Sequence, residues 1–171
     1  MPKLWTELFI KFSTKPRDEP APAKIKTSRG FRKAVIGMVV GLVPPDEEGR
    51  ICRKLIAYYE QIYPGIGFSK KEAMLGRKEI GELYYTFSGD ENEATAEEKM
   101  KMINSAIGEG YSTPIIVLRK KDKDILLDGH RRARVAFRQG IPWKAHIIVP
   151  SKEVKFGIES MILGKIKDLY G

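Results

Sequence analysis

The strongest chemical signal in the chain is the run Asp128-Gly129-His130-Arg131-Arg132-Ala133-Arg134, which follows the apolar residues Ile125 to Leu127. A strand, a glycine turn and an arginine-rich helix start together favour phosphate binding. The free N–H groups and the positive end of the helix dipole point toward such a turn. Arginines in a first helical turn oppose that dipole unless an anion sits there. We therefore predict that an oxyanion binds at this turn.

Glycine lets the backbone approach the anion, and a guanidinium group fits phosphate oxygens bidentately. The residues predicted to contact the phosphate are Gly129, His130, Arg131, Arg132 and Arg134. The alternative is a solvated helix face on which Arg131, Arg134 and Arg138 form salt bridges with neighbouring acids. His130 stands at a helix start, which should lower its proton affinity, and it could be an uncharged donor, a base or a structural residue. We interpret His146, between two apolar residues, as structural.

The same run, with Pro114 to Val117 before it and Gly140 to Pro142 and Ile147 to Val149 after it, resembles the ParB/sulfiredoxin superfamily. The similarity extends from about Glu91 to Pro150, a little over a third of the chain. It implies an α+β fold, a small mixed sheet with flanking helices, which we expect to follow a helical N-terminal region. A fold of this kind hosts several chemistries, so the resemblance alone does not select an activity.

Two branches of the superfamily imply different chemistry at the turn. ParB proteins carry Gly-Glu-Arg-Arg there and bind CTP; Gly129, Arg131 and Arg132 match that motif, and His130 replaces its glutamate. Sulfiredoxins carry Gly-Cys-His-Arg with a nucleophilic cysteine. Because His130 occupies that position in this chain, thiol chemistry is not expected.

A third branch is an archaeal ADP-dependent serine kinase whose turn reads Asp-Gly-His-His-Arg. Asp128, Gly129, His130 and Arg132 match it, whereas a second arginine replaces its second histidine. That kinase uses a glutamate shortly before the first helix of the fold. The resemblance implies Glu93 as the counterpart, with Glu91 as the second choice.

In that kinase-like interpretation, Glu93 would take a proton from a substrate hydroxyl, and Asp128 would orient the turn or hold Mg²⁺. With His130, these are the candidate catalytic residues. The acidic residues before the helix could equally be a solvated lead-in, since negative charge is favourable at a helix N-terminus.

Three functional hypotheses follow. The first is a ParB-like nucleotide-binding protein associated with DNA or RNA, with NTPase or nuclease activity. The second is a small-molecule kinase of the free-serine type. The third is a non-catalytic adaptor that binds a protein partner through its helical N-terminal half. The ligand expected in the first two is ATP, ADP or CTP with Mg²⁺. A homodimer is left open.

The chain has 171 residues, a net charge of +9 and a pI near 9.6, which favour polyanionic partners. A generally basic, Lys/Glu-rich composition of the thermophilic type is the alternative explanation. No apolar run approaches the roughly 18 residues of a membrane span, so we expect no membrane partner. The N-terminus lacks the apolar core of a signal peptide, and we expect a cytoplasmic protein.

Cysteine and histidine are too few for a structural zinc site: the chain has one cysteine and two histidines. Cys52 cannot form an intramolecular disulfide, and we predict that it lies on the packed face of a helix. No metal site built from protein ligands alone is predicted.

We predict a basic arm and Pro-rich linker over residues 1–30, a helical region over 31–87 and a ParB/sulfiredoxin-like domain over 88–171. The helical region should contain a helix from about Pro45 to Tyr63 and a second helix capped by Ser69 and Glu72. In the domain we predict a helix over 96–107, strands over 115–118 and 125–127, the helix after Gly129, and a strand over 143–149. A final amphipathic helix should occupy 150–171.

Overall fold

The computed structural model describes residues 42–86 and 93–171. The predictions for residues 1–30, and the second-choice base Glu91, lie outside these residues. The helices are α1 (Pro45–Ile62), α2 (Arg77–Glu82), α3 (Glu93–Gly108) and α4 (His130–Gln139). The strands are β1 (Phe68–Leu75), β2 (Tyr84–Thr86), β3 (Ile115–Arg119), β4 (Asp124–Asp128), β5 (Trp143–Pro150) and β6 (Ile162–Lys165). Short 3₁₀ helices cover Gly157–Met161 and Ile166–Leu169.

The six strands form one mixed sheet in the order β1-β5-β3-β4-β2-β6. Strand β3 runs parallel to β5 and antiparallel to β4, and β2 runs parallel to β4. Strands β1 and β6 pair antiparallel with β5 and β2, respectively. The α+β class is therefore confirmed. The finer assignment to the ParB/sulfiredoxin fold stays a prediction.

Both faces of the sheet are covered, and the central strands alternate between the two layers. Val117 and Leu126 point into a core formed with α2 and α4. Ile116 and Leu127 point into a second core formed with α1 and the segment around Phe156. Helix α3 packs on α4 through a third cluster, whose buried members include Met100, Ile103 and Val135. The end of β4 therefore lies between two buried layers.

Several sequence predictions are confirmed. Helix α1 has proline at its start and acids in its first turn, and it buries Cys52, Leu55 and Tyr59 as the apolar spacing indicates. The hairpin of β3 and β4, the helix after Gly129 and strand β5 are also present. Helix α3 begins at Glu93, three residues earlier than predicted.

The second predicted helix is wrong. Ser69 and Glu72 do not cap a helix; they lie in the edge strand β1, which pairs with β5 along its whole length. The hydrogen bonds between β1 and β5 outweigh the local helix propensity of this segment. Because the middle of β1 is exposed, its sequence lacks the alternating apolar pattern that would predict a strand. Of the apolar residues expected on its buried side, Leu75, Ile80 and Leu83 are buried, whereas Met74 is 55% exposed. Strands on both sides of residue 88 thus belong to one sheet.

The predicted C-terminal helix is also wrong, because residues 157–169 form two 3₁₀ helices with β6 between them. Short side-chain bonds to the backbone stabilise these turns in place of a helix: Phe156 N–H donates to Glu159 at 2.6 Å, and Lys165 N–H donates to Asp168 at 3.0 Å. Of the residues expected on the buried side of that helix, Phe156, Ile158 and Ile166 are buried, whereas Leu169 is 38% exposed.

Two helical glycines provide a matched test of this packing. A Cβ at Gly49 would meet nothing closer than 3.7 Å, whereas one at Gly81 would lie 2.7 Å from the Phe137 ring. We expect Gly49→Ala to raise the free energy of unfolding by about 0.5–1 kcal/mol through helix propensity. Gly81→Ala should lower it by about 1–3 kcal/mol through overpacking. Urea unfolding measures both, and an unchanged Gly81→Ala protein would contradict the packing of α2 on α4.

Candidate anion-binding site

The turn between β4 and α4 requires glycine. Gly129 has φ 90° and ψ 33°, a left-handed conformation that other residues rarely adopt. A Cβ at this position would lie 2.7 Å from the Ile115 Cγ2 atom. The turn brings Asp128, Gly129 and His130 together at the end of the sheet. Its glycine is therefore explained by backbone geometry and close packing, with or without a ligand.

Helix α4 begins without a side-chain cap among the described residues. The Gly129 carbonyl accepts the first helical hydrogen bond, from the Ala133 N–H at 2.9 Å. The N–H groups of the first turn have no partner inside a helix, since the residues that would accept from them precede it. His130 and Arg131 stand in this first turn, so the start of α4 combines backbone donors with one neutral and one charged side chain.

Arg132 occupies a different place from the predicted phosphate contact. Its side chain is buried and points inward, where Nη1 donates to the Pro114 carbonyl at 2.7 Å. Its Nη2 donates to the Glu48 Oε1 atom at 3.1 Å and lies 3.6 Å from the Asp128 Oδ2 atom. These contacts occupy the guanidinium group. Arg132 therefore fixes the turn to the loop before β3 and to α1.

Glu48 is the site residue that sequence reasoning missed. It lies in the first turn of α1, has an exposed fraction of 0%, and pairs with Arg132 across 84 positions of sequence. No donor from the described residues reaches its Oε2 atom, and its carboxyl lies within hydrogen-bonding reach of Asp128. The sequence did carry a signal for its burial. Glu48 stands four residues before Cys52 and seven before Leu55, on the apolar stripe of α1.

The Glu48 carboxyl is protonated at neutral pH. Burial raises its pKa to about 9, the nearby Asp128 carboxylate adds to the increase, and the Arg132 guanidinium opposes it. A count of charges leads to the same conclusion, because one guanidinium balances only one of the two carboxylates. Two carboxyl groups in one dry site commonly share a proton for this reason.

His130 is uncharged at neutral pH, as the sequence predicts for a helix start. Burial lowers its pKa to about 4; Asp128 opposes the shift, and the neighbouring arginines add to it. The Nε2 atom accepts a hydrogen bond from the Thr86 N–H at 3.4 Å. With Nε2 as acceptor, the neutral ring carries its hydrogen on Nδ1 and can donate from there.

For Arg134 and Arg138, the salt-bridged alternative is the one observed. Arg134 Nη2 lies 2.9 Å from the Glu93 Oε1 atom, and its Nε donates to the Tyr170 hydroxyl at 2.7 Å. Arg138 pairs with Glu97 at 3.0 Å. The ion pair holds Glu93 against α4, one helical turn beyond His130. The Glu93 side chain is 71% exposed.

Two lysines near the C-terminus also pair with an acid. Lys165 and Lys167 both bind the Glu82 carboxylate, the former at 2.7 Å. These hydrogen bonds lower the pKa of Glu82 to about 2. His146, interpreted as structural, is buried in β5, with Nδ1 3.7 Å from the Glu72 Oε1 atom.

Within residues 42–86 and 93–171, no group of three or more His, Cys, Asp or Glu side chains is arranged to hold a metal ion. Across the same residues, none of the helices is both long and apolar enough to cross a membrane. No family model matches this sequence, and no curated protein or solved structure is significantly similar to it. The ParB/sulfiredoxin resemblance accordingly stays a prediction from the motif.

The shifted groups predict how stability depends on pH. Folded Glu48 keeps its proton up to about pH 9, whereas unfolded Glu48 loses it near 4.5, so its contribution falls as pH rises between these values. The contribution of His130 to stability falls as pH drops below 6.5. The unfolded chain takes up a proton there, whereas the folded site does not accept one until about pH 4.

We therefore expect the free energy of unfolding to decline from pH 6.5 to 9, by at most about 1.4 kcal/mol per unit. Glu48→Gln should flatten this decline, since an amide does not titrate. Urea unfolding across the range measures both slopes. A wild-type slope of zero would show that Glu48 is already ionised in the folded protein.

Proposed function

We propose that this protein binds the phosphates of a nucleotide, with Mg²⁺, at the Gly129 turn. The observation that carries the proposal is the start of α4 directly after a left-handed glycine, where no side chain among residues 42–86 and 93–171 caps the helix. A helix start of this kind offers backbone N–H donors and the positive end of the dipole to an anion. His130 adds a neutral donor and Arg131 a positive charge within the same turn. A phosphate group at the turn would accept from the backbone N–H groups and from His130, and Arg131 would attract it by charge.

Asp128 suits the Mg²⁺ that would accompany the nucleotide. Its carboxylate is 22% exposed, ends β4 and precedes the turn. Magnesium in nucleotide sites is usually held by one or two carboxylates together with phosphate oxygens and water. Bound there, the ion would offset the negative charge of the phosphates.

The proposal predicts a nucleotide-dependent thermal shift. ADP, ATP or CTP with Mg²⁺ at a hundredfold excess over the dissociation constant should stabilise the fold by about 2.7 kcal/mol, or about 5–10 °C in Tm. Arg131→Ala should remove most of the shift, because it deletes the charge in the first turn.

The matched control is Arg138→Ala, which removes an equal charge from the last turn of the same helix, where Arg138 pairs with Glu97. It should keep the wild-type shift. If none of the three nucleotides raises Tm, phosphate binding at this turn is refuted.

A second candidate function is phosphoryl transfer to a hydroxyl group of a small molecule. The ion pair of Glu93 with Arg134 favours it, because it holds the solvent-accessible carboxylate of Glu93, at the start of α3, against α4 one helical turn beyond His130. In the transfer, the substrate oxygen would attack the terminal phosphorus and its proton would pass to the Glu93 carboxylate. The bond from phosphorus to the bridging oxygen would break, and the shortened nucleotide would leave with the electron pair.

Glu93→Gln tests this second function. With free serine as the acceptor, the variant should lose at least about a hundredfold in rate, the usual contribution of a general base. It should retain the nucleotide thermal shift, since Glu93 pairs with Arg134, one helical turn beyond His130. Glu97→Gln, which alters the neighbouring ion pair, is the control and should keep its rate. Equal rates for Glu93→Gln and the wild type would exclude Glu93 as the base.

Association with DNA or RNA stays a prediction from composition and resemblance. Four of the basic residues behind the net positive charge are paired with glutamates: Arg134, Arg138, Lys165 and Lys167. Such pairing reduces the charge that a phosphate backbone would meet.

A further inference from the structure

The sheet ends at β1, and no strand among residues 42–86 and 93–171 pairs with the outer edge of this strand. All eight residues of β1 pair with β5, without the register shifts found between β3 and β4 and between β2 and β6. In an antiparallel ladder, every second residue turns its N–H and C=O groups away from the partner strand. Strand β1 therefore presents a regular row of backbone donors and acceptors, which another strand could extend.

The side chains along this edge carry both charge and apolar surface. Phe68 packs with the core beneath α1. Because alternate residues share a face of the sheet, Lys70, Glu72 and Met74 lie on that same face. The Lys70 Nζ atom is 3.4 Å from the Glu72 Oε1 atom. The Glu72 side chain is 71% exposed and Met74 is 55% exposed. A cation, an anion and an apolar group therefore follow one another at steps of two.

This order of side chains is complementary to itself. When two identical strands pair antiparallel about a two-fold axis, one residue faces its own copy at the centre. With Lys71 at the centre, Lys70 of each copy faces Glu72 of the other. In the same register Phe68 faces Met74. A register centred on Lys70 or on Glu72 places no opposite charges directly across from each other.

We propose that β1 is a dimerisation edge, to which a second copy of this chain adds its own β1 antiparallel, centred on Lys71. The two six-stranded sheets then form one continuous sheet. Because Lys70 and Glu72 also pair within each copy, four charges alternate in sign along and across the two strands. The exposed Met74 gains Phe68 of the second copy as an apolar neighbour. Each cross-strand pair contributes to the stability of the joined sheet.

The central lysine opposes this association. Lys71 is exposed and faces its own copy, and like charges directly opposite each other are unfavourable. Lysines on edge strands commonly keep other chains away. In β1 the carboxylate of Glu72 supplies the counter-charge for Lys70, so two favourable charge pairs stand against one unfavourable pair. We therefore expect a weak, concentration-dependent dimer.

The test is sedimentation of the full chain from about 1 μM to about 1 mM, the range of weak interfaces. Lys70→Glu and Glu72→Lys each turn two attractive cross-strand pairs into repulsive ones. Each should raise the dimer dissociation constant at least about tenfold. An equimolar mixture of the two variants should dimerise to within about threefold of the wild type, because positions 70 and 72 then differ in sign across the interface.

Two further variants complete the experiment. Lys78→Glu makes the same change of charge at an exposed position of α2, and it is the matched control that should follow the wild type. Lys71→Thr should strengthen the dimer, because it removes the like-charge contact at the centre. Strands β5 and β3 separate this edge from β4, so neither measurement depends on nucleotide binding at the Gly129 turn.

A wild-type chain that stays monomeric over the whole range would overturn the proposal and leave the edge to another occupant, such as residues 1–41 or a partner peptide. A dimer that Lys70→Glu and Glu72→Lys leave unchanged would overturn it as well, because that dimer would use a different surface. If the single variants are monomeric and their mixture is too, the register centred on Lys71 is wrong.

Discussion

The burial of a single guanidinium group organises this end of the molecule. Arg132 points away from solvent, into the space between the sheet and α1, and meets carboxyl groups from two elements far apart in sequence. Taking a charge out of water is costly, and the Asp128 carboxylate and the hydrogen bond to Glu48 together offset that cost. Strand β4, the glycine turn, α4 and the start of α1 are therefore held in one arrangement. The start of α1 is fixed further by the Thr113 hydroxyl, which donates to the Val43 carbonyl at 2.7 Å.

This arrangement separates two roles that the arginine-rich run combines in sequence. Arg132 holds the turn from inside, and Arg131 and the backbone N–H groups belong to the first turn of α4. Arg134 and Arg138 pair with the acids of α3 and join the two helices. The two buried titratable side chains at the turn are both uncharged at neutral pH. Glu48 stays protonated and His130 stays neutral, so the site holds two uncharged titratable groups near a turn suited to negative charge.

The sequence predicted much of the fold and part of the site. Strands β3, β4 and β5 and helices α1 and α4 have strong local signals: continuous apolar runs, a left-handed glycine, and prolines and acids at a helix start. Strand β1 and the C-terminal segment were missed because their structure depends on partners distant in sequence. Phe68–Leu75 pairs with β5, and Ile162–Lys165 pairs with β2. Glu48 was missed because acids at a helix start normally face solvent, although its place on the apolar stripe marked it as buried.

The central claim is that the first turn of α4 binds a phosphate group, and NMR of the backbone amides tests it most directly. On addition of ADP with Mg²⁺, the account predicts that the ¹⁵N-amide signals of His130 and Arg131 shift most and saturate together. The amides of the α3 surface, where Arg138 pairs with Glu97, should remain in place. Saturable shifts concentrated elsewhere, or none at all, would contradict the account.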